Sequence, residues 1–273
     1  MTLKILKKPV VVPDLNYLQA LPKGREHLSA KCFWVWPRRL FTEAADKGKS
    51  SFGYTHKLLR IYNLNASRSA VSGSLLDFCN DRITSKDVLD WDMVIDAELT
   101  QAVRNAAEWG ETARFLSYVE NINQQNAHKF NHFWMVLDFN RKTSKHKLPD
   151  THRFLESIEA DKNYITKKRA IENFIESTNY LGDDNVSADD VEADVDSTSP
   201  LITLWKIMLY IKLRWDTKPI TDSELNDYDD IAYILISYLT GNIATADKAL
   251  IRMIQVCAPN INFYPNTAIA QSA

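Results

Sequence analysis

Glycine is scarce in this chain, with seven among 273 residues, under half the ~7% share of an average protein. Glycine supplies the positive φ of tight turns and of phosphate-cradling loops. Its scarcity argues against a many-turned β-sandwich and against a nucleotide fold built on Gly-rich loops. It suits helices joined by polar loops. Cysteine is sparse too: Cys32, Cys79 and Cys257 are odd in number, far apart and in no CxxC pair. That excludes a disulfide framework and a cysteine zinc site, and it leads to the expectation of a reducing, cytoplasmic setting.

Long apolar runs are also missing. The most apolar segment, Leu201 to Trp215, is 15 residues long and carries Lys206, Lys212 and Arg214. A bilayer span needs ~20 apolar residues, so this segment is expected to be a core helix. The opening MTLKILKKPVVVPD is broken by lysines and prolines and does not read as a signal peptide.

What is present is core material. Apolar residues make up 45% of the chain and charged residues 25%, with seven Trp, eleven Tyr and eleven Phe. That is the profile of a folded protein.

Pattern then assigns elements. Val10 to Val12 reads as a short edge strand, and Asp14 as the cap of a helix from Leu15 to Leu21. Lys31 to Trp36 is aromatic and β-branched, so it reads as a strand or extended segment. A helix is expected from Arg38 to Asp46, followed by a loop from Lys47 to Phe52. Tyr54 to Leu64 is ambiguous between helix and strand, and Asn65 to Asn80 reads as helix despite Gly73.

From Ser85 to Trp109, Val88, Trp91, Val94, Ile95, Leu99, Val103 and Ala106 fall on one face of a helix. Thr84 with Asp87 resembles a capping box, and Gly110 stands at the C′ position. Glu111 to Asn126 continues as the second arm of a helical hairpin. Helices are further expected at Thr151 to Ala160, Ile165 to Tyr180, Ser223 to Leu239 and Ala244 to Cys257, the last two stopped by Gly241 and Pro259. His132 to Phe139 is left open between helix and strand.

These readings add up to a mainly α, two-lobed helical protein with a few short N-terminal strands or extended segments. Its expected division is an N-terminal lobe over residues 1–180, an acidic linker over 181–199, and a C-terminal helical lobe with an uncharged tail over 200–273.

Charge is distributed unevenly. The net value of −2 conceals a balance of +9 over residues 1–70, −6 over 71–140 and −7 over 181–200. The basic first quarter interleaves cations with aromatics such as Trp34, Trp36, Phe41, Phe52, Tyr54 and Tyr62. Cations neutralise phosphates and aromatic faces stack on bases, which is what single-strand binding requires. The candidate contacts are Arg38, Arg39, Lys47, Lys49, Lys57, Arg60 and Arg68, with a second cluster at Lys167, Lys168 and Arg169. The plainer alternative is aromatics in the core and cations on a solvated face.

Motifs of catalysis are weak. Gly48-Lys49-Ser50 resembles the end of a phosphate loop, but Glu43 stands where the first glycine is required. His128 and His132 share a helical spacing without the glutamate of a zinc protease, and His146 and His152 fall on a basic loop. Asp90, Asp92, Asp96 and Glu98 crowd one predicted helix, and Asp227, Asp229 and Asp230 another. Paired carboxylates such as Asp92 and Asp96 can hold Mg²⁺ for phosphoryl chemistry. Aspartates at helix starts are equally favoured by the helix dipole alone. Arg141 and His146 have a ribonuclease-like spacing on an unsuitable loop.

The functional expectation is a non-enzymatic, nucleic-acid-associated assembly protein, nucleocapsid-like or otherwise coating, with RNA preferred over DNA. It has no cofactor and no resident metal. Its partners are single-stranded nucleic acid and copies of itself, engaged through the N-terminal arm and the C-terminal tail. The alternatives are a metal-dependent nuclease and a protein-interaction adaptor.

Overall fold

The computed structural model describes residues 8–22, 24, 26–46, 51–73, 94–119, 203, 206–207, 210–211 and 222–264. Its centre is a parallel sheet. β1 (Val10–Pro13), β2 (Phe33–Trp36), β3 (Ser69–Val71), β4 (Asn242–Ala244) and β5 (Asn262–Phe263) lie in the order β3-β2-β1-β4-β5. Every neighbouring pair runs parallel. This overturns the mainly α, two-lobed expectation. Strands from the first and last quarters of the chain share one sheet, so the two ends do not form separate lobes.

The strands are short, and β1, β2 and β4 are each followed by a helix, which is why periodicity reads the chain as helical. A parallel strand covered on both faces is a brief apolar run with no alternation. VVVP fits that description, with all four residues buried. It is therefore the central strand, not an edge. In register, Val10 and Val11 stand beside Phe33 and Trp34, while Val12 and Pro13 stand beside Ile243 and Ala244. Pro13 lacks an N–H to donate, and the amide of the next residue, Asp14, donates to the Ala244 carbonyl at 3.0 Å.

Among the described residues, the unbroken helices of more than one turn are α1 (Leu15–Ala20), α2 (Arg38–Asp46), α3 (Ser51–Asn65), α4 (Ala97–Trp109), α5 (112–119), α6 (Asp222–Thr240) and α7 (Lys248–Cys257). The expectation for α2 agrees residue for residue, and Asp14 does cap α1. Tyr54 to Leu64 resolves as helix, within α3.

Three readings fail. Asn65 to Asn80 does not begin as an α-helix: residues 66–68 form one 3-10 turn and lead into β3. The long helix from Ser85 is interrupted within the described residues: Val94 is helical, but the helix that runs to Trp109 starts at Ala97. Ile95 instead bridges Ser72, and Asp96 caps α4. Ala244 belongs to β4, so the last helix begins four residues later, at Lys248. In the first and third cases a strand of three residues is too short to show its own period beside a strong helix pattern, and in the second a single bridged residue interrupts one.

Gly110 and Gly241 adopt φ of 68° and 84°, the left-handed conformation that ends α4 and turns the chain from α6 into β4. The predicted core helix of 201–215 is helical at residues 203, 206–207 and 210–211, with Ile207 and Ile211 buried. The expected helices at 151–160 and 165–180, the hairpin beyond 119, the segment 132–139 and the acidic linker all lie outside the described residues.

Aromatics weld the layers together. Trp34 and Trp36, both fully buried, project from β2. Trp36 meets the edge of Tyr62 of α3 at 5.1 Å, and Phe41 of α2 meets Phe115 of α5 at 5.6 Å. Trp34, Trp36, Phe41 and Tyr62 of the basic first quarter are thus core, whereas its Tyr54 is exposed. Among the described residues, no helix is long and apolar enough to cross a membrane.

Candidate functional site

In a parallel sheet all strands end on the same edge. Where the strand order reverses, the connections on either side leave in opposite directions and open a crevice beyond the strand C-termini. Here the reversal lies between β1 and β4. The residues that follow those strands, and the helix that follows β2, define the place to search for chemistry.

One carboxylate there, Asp14, lies within electrostatic range of two others. Asp14 follows β1 directly, Asp247 follows β4 by three residues, and Glu43 lies on α2. Asp14 is 3% exposed. Its carboxylate accepts from the amide of Tyr17 and from the Thr245 hydroxyl, while its own amide donates to the Ala244 carbonyl at 3.0 Å. The Thr245 oxygen also accepts from the Asp247 amide at 3.0 Å, so one hydroxyl links the two aspartates. Asp247 caps α7, with one oxygen accepting from the amides of Ala249 and Leu250. Its other oxygen accepts from the Asn16 side chain at 2.9 Å. Glu43 is half-buried and accepts from the hydroxyl of Tyr233, on α6, at 3.0 Å.

Electrostatics mark the crevice. The carboxyl of Asp14 is pushed up from 3.8 to about 6. Burial is the largest cause; the hydrogen bonds from Thr245 and Tyr17 oppose it, and the negative charges of Asp247 and Glu43 add to it. A desolvated carboxylate within range of two other negative charges gains from any cation that enters. Among the described residues, no three such side chains form a preformed metal-binding group. Mg²⁺ does not require one, because it keeps several waters and uses one or two carboxylates together with substrate phosphate.

The carboxylate pair expected from sequence is not this one. Asp96 spends its side chain on the amide of Leu99 at 2.8 Å as the cap of α4, and Asp92 lies outside the described residues. Asp230 is half-buried on α6, one turn before Tyr233 and on the same helix face. Asp227 and Asp229 lie on the same helix.

The expected nucleic-acid contacts separate in space. Arg38 and Arg39 open α2, immediately beyond β2, on the carboxylate edge. The Arg38 amide donates to the Ser72 hydroxyl at 3.3 Å, which ties the start of α2 to the end of β3. Arg68 lies at the opposite edge, in the turn that leads into β3, and Arg60 reaches the segment that leads into β2. Arg60 pairs with the buried Glu26, and Arg68 donates to the Leu28 carbonyl at 2.8 Å and to the Asn65 side chain at 2.7 Å. Lys57 holds the end of α1 through the Gln19 carbonyl at 2.8 Å. Lys47, Lys49, Lys167, Lys168 and Arg169 lie outside the described residues, as do the histidine pairs and Gly48-Lys49-Ser50.

Sequence reasoning saw Asp14 only as a helix cap and Glu43 only as a missing glycine, and it did not single out Asp247. One signal was available: a run of β-branched residues ending in an acid, VVVPD, and a second at NIATAD. Comparison with protein-family models, with curated proteins and with solved structures finds no match for this chain.

Proposed function

We propose that the protein is a divalent-metal-dependent phosphodiesterase acting on single-stranded nucleic acid, with Asp14, Asp247 and Glu43 as its metal-binding carboxylates. The observation that carries this reading is the convergence of three carboxylates, from three separate elements, where the sheet reverses its strand order. One of them is so poorly solvated that its ionisation is resisted. Folding does not bring acids together in that way without cost, and a cation offsets it.

A divalent ion bound there would neutralise phosphate charge and deliver an ionised water near neutral pH. The chain's own part is to hold the carboxylates. Thr245 fixes Asp14 relative to Asp247, and Asn16 fixes Asp247 from the start of α1. Arg38 and Arg39, on the same edge, supply cations for a phosphate backbone approaching the crevice. The scarcity of glycine weighs against a nucleotide cradled in a Gly-rich loop and favours a polymer held by side chains.

The test is cleavage of a fluorescent single-stranded RNA, and of the matching DNA, by the full chain with Mn²⁺ or Mg²⁺. Cleavage that needs the metal and disappears in Asp14→Asn and Asp247→Asn supports the reading. Cleavage indifferent to both substitutions overturns it. Metal-independent, salt-sensitive binding with no product points instead to the coating role that the charge layout suggests.

A further inference from the structure

We infer that Tyr264, just beyond β5, is a positioning residue for Asp14: it braces Trp34, and Trp34 braces Tyr17 in the first turn of α1, whose amide holds the Asp14 carboxylate. The coupling is one of packing and stands whether or not a cation enters the crevice. Each link is a contact in the structure. The Tyr264 ring meets Trp34 edge-on, with centroids 5.8 Å apart and planes at 80°. Trp34 in turn stacks on Tyr17 at 6.2 Å, with 17° between the planes. The Tyr17 amide donates to the Asp14 carboxylate, which caps α1. In the sheet, β5 and β2 are separated by β4 and β1, so Tyr264 and Trp34 meet over the face of those two strands. One edge of the sheet thereby reaches the cap of α1 through aromatic rings alone.

The cap of α1 depends on such bracing. The helix has six residues, and isolated helices this short are unstable in water. Its place comes from the side chains it buries, Leu15, Tyr17 and Leu18. Of these, Tyr17 also carries the capped amide, so a shift of its ring moves that bond and lets water reach a carboxyl otherwise 3% exposed. Tyr264 is itself well placed to brace. Its amide donates to the Ile243 carbonyl at 2.7 Å, and its hydroxyl is within hydrogen-bonding range of Cys32 and Ser29. The indole N–H of Trp34 donates to the Ser29 carbonyl at 3.2 Å. Phenol and indole thus converge on the loop that leads into β2. An edge-to-face ring pair changes an equilibrium by up to about tenfold. From the other elements, Asp14 is acted on by the Thr245 hydroxyl and Asp247, beyond β4, and by Glu43 on α2; none of these is altered by a change at Tyr264.

The experiment follows amide hydrogen exchange and the ionisation of Asp14 by NMR, in the full chain as wild type, Tyr264→Ala and Tyr264→Phe. In Tyr264→Ala the Tyr17 amide is expected to exchange about tenfold faster. The Asp14 carboxyl should titrate lower, from about 6 toward 3.8, as water reaches it. The Leu99 amide makes the same kind of cap bond, to Asp96 at 2.8 Å, and is the internal reference: its exchange should not change. Tyr264→Phe keeps the ring and should leave both readouts as in wild type. Wild-type exchange at Tyr17 and wild-type titration of Asp14 in Tyr264→Ala overturn the inference. So does equal acceleration at Leu99, because that marks a general loosening. A Tyr264→Phe that behaves like Tyr264→Ala also overturns it, since the ring contact is then not what matters. Should Tyr264→Ala fail to fold, Tyr264→Leu fills most of the volume without a ring. Its Tyr17 amide is expected to exchange about threefold faster, and a wild-type rate there overturns the inference. Neither readout involves a metal, so failure of the metal-dependent reading and failure of this coupling are separate results.

Discussion

The two edges of the sheet solve opposite problems. At the edge where strands begin, charge is satisfied inside the protein. Glu26 is buried and paired with Arg60, and Asn65, fully buried, accepts from the Leu28 amide at 3.0 Å and donates to the Glu26 and Ile61 carbonyls at 3.1 and 2.6 Å. Arg104 closes the same region on the carbonyls of Ala66 and Ser69 at 3.3 and 3.1 Å. At the edge where strands end, acids face acids. Asp14 is resisted by its own burial and by the charges of Asp247 and Glu43. A parallel sheet imposes this contrast. Its strand-beginning edge holds only the chain arriving from the crossovers, whereas the crevice at its other edge stays open to a ligand. Cations at the first edge are structural parts, whereas Arg38 and Arg39 stand at the second, at the start of α2.

Substitutions can break or sharpen the contrast. The largest effect is expected from Asp14→Asn. If it removes a metal that contributes several kcal/mol to the transition state, the cleavage rate should fall about a thousandfold in a single-turnover assay, with the fold intact by circular dichroism.

The next concerns pH. The folded protein keeps the Asp14 proton up to about pH 6, while an ordinary carboxyl releases it near 3.8. Stability from this group is therefore fully present below pH 3.8 and lost as pH rises through about 6, a difference of roughly 3 kcal/mol. Metal-free wild type should lose melting temperature across that interval relative to Asp14→Asn. Added Mn²⁺ should restore it at pH 7 and have little effect at pH 4.

At the other edge, Asn65→Ala strands the Leu28 amide and two carbonyls, and is expected to cost about 2 kcal/mol in a urea titration without changing Mn²⁺ affinity. A shift in that affinity would mean the two edges are coupled. The smallest effect is expected from Lys57→Met. It removes the tie to the Gln19 carbonyl and should cost about 1 kcal/mol or less, while leaving nucleic-acid affinity unchanged. A steep loss of RNA binding in that variant would return Lys57 to the interface.

The helices were legible because their signals are local. Asp14 before an apolar turn, Gly110 and Gly241 at helix ends, and the boundaries of α2 all follow from capping and spacing within a few residues. The sheet was not legible. Its five strands have two to four residues each, and their pairing joins Val12 to Ile243 and Asn242 to Asn262. No window of sequence contains such pairs. The site was missed for the same reason: its carboxylates stand at positions 14, 43 and 247, and only the strand order gathers them.

By itself the sequence determined that this chain folds around a large aromatic core, that its helices start and stop where caps and glycines stand, and that its cations crowd the first quarter. Tertiary structure alone decided what those features do. Periodicity and capping act through the backbone over one or two turns, whereas strand order, burial of Asp14 and the separation of Arg38 from Arg60 depend on which distant segments meet. A residue's charge is written in the chain, but its cost is set by the neighbours that folding brings to it.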